Sequence, residues 1–244
     1  MWKWFHKLAS PPHFYRVAGV LVAWFAWPAF LLIVAGLYGG LVLAPPDYQQ
    51  GDAFRIIYVH APSAWMSLMV YVLMALSAAI GLIWRIKISH AVAASCAPIG
   101  ASFTFAALAT GALWGQPMWG TWWVWDARLT SELILLFLYL GYIALRSAID
   151  DPQRADRASA VLAIVGVINV PIIHYSVVWW NTLHQAPSVT KMAAPSISMS
   201  MLVPLLMMIL GFTLYFVALL LTRVRGEVLR RERSAGWIRE VIAA

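Results

Sequence analysis

The run Val17-AGVLVAWFAWPAFLLIVAGLYGGLV-Leu43 holds 27 residues without one Asp, Glu, Lys or Arg. A helix that crosses a bilayer needs about 20 apolar residues, and this run exceeds that. It follows a basic segment, but it is far longer than the apolar part of a signal peptide. It also lacks a convincing small-residue cleavage site, so we read it as a retained first span. Five further runs match it: Pro62–Trp84, Ala91–Trp114, Leu129–Leu145, Ser159–Trp180 and Leu202–Leu221. The 244 residues are 62% hydrophobic and 11% charged, with a mean hydropathy of +0.77. That composition excludes a soluble domain. The expected fold is an all-α integral membrane protein: one domain over residues 1–244 with six transmembrane helices, an amphipathic N-terminal segment (1–15) and a basic amphipathic C-terminal tail (223–244).

The net charge of +7 sorts by connector rather than gathering into a nucleic-acid patch. Fourteen of the 17 Lys and Arg fall on the N-terminus, the second and fourth connectors and the tail, among them Lys3, Lys7, Arg85, Lys87, Arg146, Arg157 and Arg231. Only Arg55, Arg128 and Lys191 lie on the alternate connectors. The positive-inside rule then places both termini in the cytoplasm and Arg55, Arg128 and Lys191 on the outer face. The tail offers an apolar side of Val228, Leu229, Trp237, Ile238, Val241 and Ile242 to lipid headgroups or a cytoplasmic partner. No nucleotide-binding glycine loop is present, so an ATP-driven step belongs to another subunit. The single cysteine, Cys96, excludes an intramolecular disulfide and any Cys-x-x-Cys chemistry, including covalent haem attachment.

The outer connectors carry the unusual residues. Between Trp114 and Arg128 the chain reads WGQPMWGTWWVWDAR, five tryptophans in fifteen residues. Trp119, Trp122 and Trp123 stand at i, i+3 and i+4, so on a helical turn they form one indole face, while Gly115, Pro117 and Gly120 break the preceding helix. An interfacial aromatic belt is the plainer reading of each tryptophan. Cytoplasmic connectors hold only Trp2, Trp4, Trp84 and Trp237, however, and that asymmetry points to a site. Asp126 is placed to cap the fourth helix, and Arg128 to pair with Glu132 at i, i+4. His60 stands just before Pro62, read as the first turn of the second helix. His184 closes a second aromatic exit, Trp179-Trp180-Asn181-Thr182-Leu183-His184. His174 lies within a span beside Pro171, either satisfying a kink or serving as a secondary ligand or hydrogen-bond partner. His6, His13 and His90 are read as cytoplasmic boundary residues, and the methionines of the last outer connector as packing.

Arg55 with His60, the tryptophans with Asp126 and Arg128, and Trp179 and Trp180 with His184 thus share one face. A flat, largely apolar, iron-containing ligand such as haem needs imidazoles for its axial positions, an aromatic shelf and guanidinium groups for its propionates.

The order of six spans, the His60 junction, the stretch Trp119-Gly-Thr-Trp-Trp-Val-Trp-Asp126 and the Trp-Asn-Thr-Leu-His184 exit together resemble the haem exporter protein C (CcmC) family of cytochrome c maturation. The resemblance covers almost the whole chain. It implies axial roles for His60 and His184 on the iron of a transient, non-covalent haem b, and a platform of Trp119, Trp122, Trp123, Trp125 and Asp126. Trp114, Arg55 and Arg128 complete the expected site. It further implies the bacterial inner membrane, transfer of haem to a periplasmic haem chaperone, and partners comprising an ABC-type membrane subunit with its ATPase and a small accessory membrane subunit. No catalytic group of the chain's own is expected. A b-type cytochrome or quinol-reactive subunit would instead place paired histidines deep in facing helices, and a permease would hold no haem.

Overall fold

The computed structural model describes residues 10–180, 182–184 and 197–242. Six helical stretches are long and apolar enough to cross a membrane, and each covers one expected run: Pro11–Leu43, Asp52–Trp84, Lys87–Trp119, Ala127–Ser147, Pro152–Trp179 and Met199–Arg231. We name the helices α1 (Pro11–Tyr38), α2 (Ile57–Trp84), α3 (Lys87–Trp119), α4 (Ala127–Ser147), α5 (Pro152–Gly166), α6 (Asn169–Trp179), α7 (Met199–Arg231) and α8 (Gly236–Ile242).

Local chemistry sets the ends. Pro11 opens α1, where a missing N–H costs nothing, so the proline pair begins the first span rather than preceding it. Asp126 accepts from the Leu129 N–H at 2.8 Å and caps α4, as its position predicts. Asp151 does the same for α5 through the Arg154 N–H at 2.7 Å. The fifth span is two helices: Pro171 has no N–H to give Val167, and the chain tightens there, with Val170 N–H on the Val167 carbonyl at 3.0 Å. Asn169 does not satisfy the break itself; its amide donates across to the Ser131 carbonyl of α4 at 2.9 Å.

The core lies among α2, α3, α4 and α5, around Met66, Val70, Met74, Cys96, Ala97, Leu135 and Ala163. Cys96 is fully buried, the packing role expected of it. Tyr139 lies so close on α3 that a Cβ at Gly100 would stand 2.0 Å from its Cζ, and the ring's hydroxyl donates to the Ser67 carbonyl at 2.8 Å. Helix α1 packs on α7, with Gly36 against Met208 and Gly211 against Ile33. Its far side leaves Trp24, Trp27 and Phe30 exposed, a face for lipid.

Tyr15 and Trp237 pack 5.8 Å apart, so the start of α1 and the short α8 share one end of the bundle. Arg223–Arg231 belong to α7, and Val228, Trp237 and Ile238 fold back on the bundle rather than forming a separate amphipathic tail. At this end Arg146 of α4 pairs with Asp156 of α5 and, at 2.8 Å, with Glu227 of α7. Arg231 joins both carboxylates, at 2.8 and 2.7 Å. The expected Arg128–Glu132 pair does not form among the described residues: Glu132 is buried and accepts from the Ser67 hydroxyl at 2.7 Å, and Arg128 donates elsewhere.

Candidate functional site

At the opposite, aromatic end a cavity of about 460 Å³ opens between α2, α3, α4, α6, α7 and residues 182–184. Its wall carries three histidines, His60, His174 and His184, together with Trp114, Trp119 and Arg128. Leu205, Leu206 and Ile209 of α7 supply an apolar side.

His60 lies inside α2, not at its cap, because a 3₁₀ turn over Asp52–Ile56 runs straight into the helix and Pro62 sits two residues further in. Its Nδ1 is 3.1 Å from the Ala107 carbonyl and 3.0 Å from Thr110 Oγ1. The carbonyl only accepts, and the threonine hydroxyl spends its proton on the Ala106 carbonyl at 2.6 Å. Nδ1 therefore carries the proton and Nε2 keeps its lone pair, the tautomer an iron ligand needs. Trp114 holds the ring edge-on at 5.6 Å, and is itself held by Gln50, which accepts from its Nε1 at 3.0 Å.

Helix α3 runs through Gly115 and Pro117 and stops at Trp119, where Gly120 adopts φ 75° and donates back to the Gln116 carbonyl. The left-handed glycine, not the proline, ends it. Residues 121–126 are not helical, so the single helical face of Trp119, Trp122 and Trp123 does not form. Trp119 faces the cavity against His184, ring centres 5.0 Å apart. Trp123 is half-buried and packs edge-on against Trp125 at 5.4 Å, and Trp122 and Trp125 stand 58% and 75% exposed, outside the cavity wall. The five tryptophans divide into two in the wall and three on the connector.

Asp126 has two tasks. Oδ1 caps α4, while Oδ2 stands 3.6 Å from His184 Nδ1, within ion-pair reach but too long for a hydrogen bond. Among the described residues neither of those two atoms, nor Trp123 Nε1, has a hydrogen-bond partner, although all three are buried. Burial lowers the His184 pKa below the usual imidazole value; the Arg128 charge adds to that and Asp126 opposes it. Arg128 also donates to the Ile173 carbonyl at 2.8 Å, which ties α4 to α6 beside the cavity.

Arg55 departs from the expected set. Its guanidinium caps the Gly40 and Leu41 carbonyls at 2.8 and 3.0 Å and pairs with Asp52 at 2.8 Å, outside the cavity wall. His174, held open between two readings, stands in that wall and packs edge-on against Tyr175 at 4.8 Å. Thr110 and Gln50 carry no sequence signal that marks them: Thr104 stands on the same helix, and only packing brings Thr110 to His60. The Ser188–Thr190 end of the last outer connector and Met192 lie outside the described residues, as do His6 and the segment before Ser10.

Residues 4–239 match the family described as "Heme exporter protein C". The chain is 52% identical over 239 residues to the Heme exporter protein C of Haemophilus influenzae, covering 98% of this chain and 97% of the relative. It is 51% identical over 242 residues to that of Escherichia coli K12 (99% and 98%) and 42% over 235 residues to that of Paracoccus denitrificans (96% and 97%). The chain belongs to the heme exporter protein C family. As a member of that family it is a multi-pass membrane protein whose match spans all six helices and both walls of the cavity.

Proposed function

We propose that the chain binds haem in the aromatic-end cavity during cytochrome c maturation, with His60 and His184 as axial ligands, and presents it to a periplasmic haem chaperone. One observation carries the reading: of the three imidazoles that line the cavity, His60 and His184 turn Nδ1 toward a group on another element, the Ala107 carbonyl at 3.1 Å and the Asp126 carboxylate at 3.6 Å, so that Nε2 of each is the nitrogen offered to iron. Trp114 and Trp119 flank the porphyrin, and Arg128 offers a remaining N–H to a propionate. Haem is cargo here, so the chain needs no catalytic group; it acts as a transfer component rather than an enzyme. Trp122, Trp123 and Trp125 then form the docking face for the chaperone. Arg55 shapes that end by closing the π-helical turn Gly39–Leu43 that follows α1.

The charge asymmetry supports a bacterial inner-membrane orientation with the cavity on the periplasmic side. The names of the relatives support an exporter role; an ABC-type membrane subunit, its ATPase and a small accessory membrane subunit are the partners this reading adds. Reporter fusions after Asp47 and Thr121 are expected to read periplasmic, and fusions after Lys87 and Asp151 cytoplasmic; a cytoplasmic signal at Thr121 would break the assignment.

The optical spectrum of the purified protein tests ligation. A bis-imidazole haem spectrum lost in both His60→Ala and His184→Ala is expected. Loss in His174→Ala with retention in His60→Ala would move an axial position to α6 instead.

A further inference from the structure

The charged end holds a second and larger cavity, about 920 Å³, between the end of α2, the start of α3, α5 and the end of α7. Nothing in the haem reading uses it. Two of its three carboxylates are already taken, Asp156 by Arg146 and Arg231 and Glu232 by Lys87 at 3.4 Å, while Asp150 has no ion-pair partner among the described residues and is outnumbered by the cations of the wall. Arg85, Arg157 and Arg233, from three separate parts of the chain, line the cavity with no carboxylate within 4.0 Å among the described residues. Arg85 is also the only non-glycine residue with positive φ among those described, at 54°, where it terminates α2. Glycine or asparagine adopts that conformation at less cost, so a guanidinium is held there at the expense of local strain. Apolar side chains, Leu82, Ile88 and Val228, line the same space.

We infer that this cavity binds a phosphate group, with Arg85, Arg157 and Arg233 as the cations that line it. Guanidinium groups match the planar pairs of oxygens on a phosphate, and basic pockets between spanning helices at the cytoplasmic surface recognise lipid headgroups in this way. The surrounding Leu82, Ile88 and Val228 suit the first methylenes of an acyl chain. A phospholipid headgroup and a free phosphate share this chemistry, and the experiment separates them.

The full chain is reconstituted in phosphatidylcholine nanodiscs doped with phosphatidylglycerol, and retained lipids are counted by native mass spectrometry. Wild type is expected to retain one phosphatidylglycerol, and Arg85→Gln, Arg157→Gln and Arg233→Gln to weaken retention about fivefold each. In undoped nanodiscs, inorganic phosphate is added and Tm recorded. Phosphatidylglycerol retention without a phosphate response assigns the site to lipid. A phosphate-dependent rise in Tm, absent from the triple variant and without lipid retention, assigns it to free phosphate. Equal retention and equal phosphate response in wild type and triple variant overturn the inference. Arg85→Asn separates strain from binding, because asparagine accepts the left-handed backbone: Tm should hold or rise while retention falls. Undiminished retention in Arg85→Asn removes Arg85 from the site and overturns the three-cation reading.

Discussion

At the charged end, Asp156 and Glu227 each receive guanidinium groups from two helices, so carboxylates and cations neutralise one another within the bundle. At the aromatic end, the buried Asp126 Oδ2, His184 Nδ1 and Trp123 Nε1 have no hydrogen-bond partner among the described residues, whereas the buried atoms left open at the charged end, Arg225 Nε and Trp237 Nε1, lie outside the ion network. Burying polar groups is costly at either end. Where the partners are internal, the cost is offset on folding and the result is a clamp between α4, α5 and α7. Where they are not, nothing internal offsets the cost, and the proposed haem reading gives these groups a use as contacts for a ligand that arrives later.

The largest test of this contrast is His60→Ala or His184→Ala, which should abolish the axial haem spectrum with little change in Tm. Arg231→Met should do the reverse. It strands Asp156 and Glu227 with fewer cations, at a cost of about 3 kcal/mol in stability, while haem content per folded molecule stays at the wild-type level. Loss of haem from Arg231→Met without loss of Tm would dissolve the distinction between the two ends.

Asp126→Asn sharpens it. Asparagine caps a helix as well as aspartate does, so α4 should persist, but the carboxylate facing His184 Nδ1 is lost. Removing such a supporting group weakens metal ligation about 10–100-fold, read as haem retained through purification. Smaller still are the tryptophans: Trp122→Ala or Trp125→Ala should leave haem bound and weaken capture of the chaperone about tenfold or less, whereas Trp119→Ala should lower haem content itself. Equal behaviour of Trp119 and Trp122 would return the connector to an undivided shelf.

The smallest effect is on pH. Because the His184 pKa is lowered, its neutral form persists below the ordinary imidazole value near 6.5. Haem retention should therefore hold at that pH and fall only on further acidification, as protons compete with iron. The same shift contributes stability above the unfolded-state pKa that is lost as pH drops through the folded one. Arg128→Gln removes a repelling charge, so the acid limb should move to higher pH, measured by a spectral titration.

Hydropathy made the spans legible, since each apolar run has one economical fate in a bilayer. Asp126 was legible as a cap because capping is local. Its second task was not: the meeting with His184 joins residues 58 positions apart and depends on how α4 and α6 pack. Arg128 was misassigned for a similar reason. An i, i+4 partner was visible in the sequence, but Glu132 turned to Ser67 on α2 and the guanidinium found the Ile173 carbonyl on α6. The tryptophan face failed on one backbone angle, because Gly120 turns left-handed and takes Trp122 and Trp123 off the helix. Arg55 and His60 are five residues apart, yet only His60 reaches the cavity, because the Gly40 and Leu41 carbonyls and Asp52 hold the Arg55 guanidinium outside it.

The divided fifth span has a mechanical meaning. A continuous helix transmits a push along its whole length, but α5 and α6 meet at a joint where Pro171 withholds its N–H from Val167. The ion network holds α5, whereas His174 and the approach to His184 lie beyond that joint. The outer half takes its alignment sideways from α4, through the Asn169 and Arg128 hydrogen bonds. Two short bonds to one neighbour, with Ile173 packed in the core, therefore set the wall of the cavity that carries His174 apart from the helix below it.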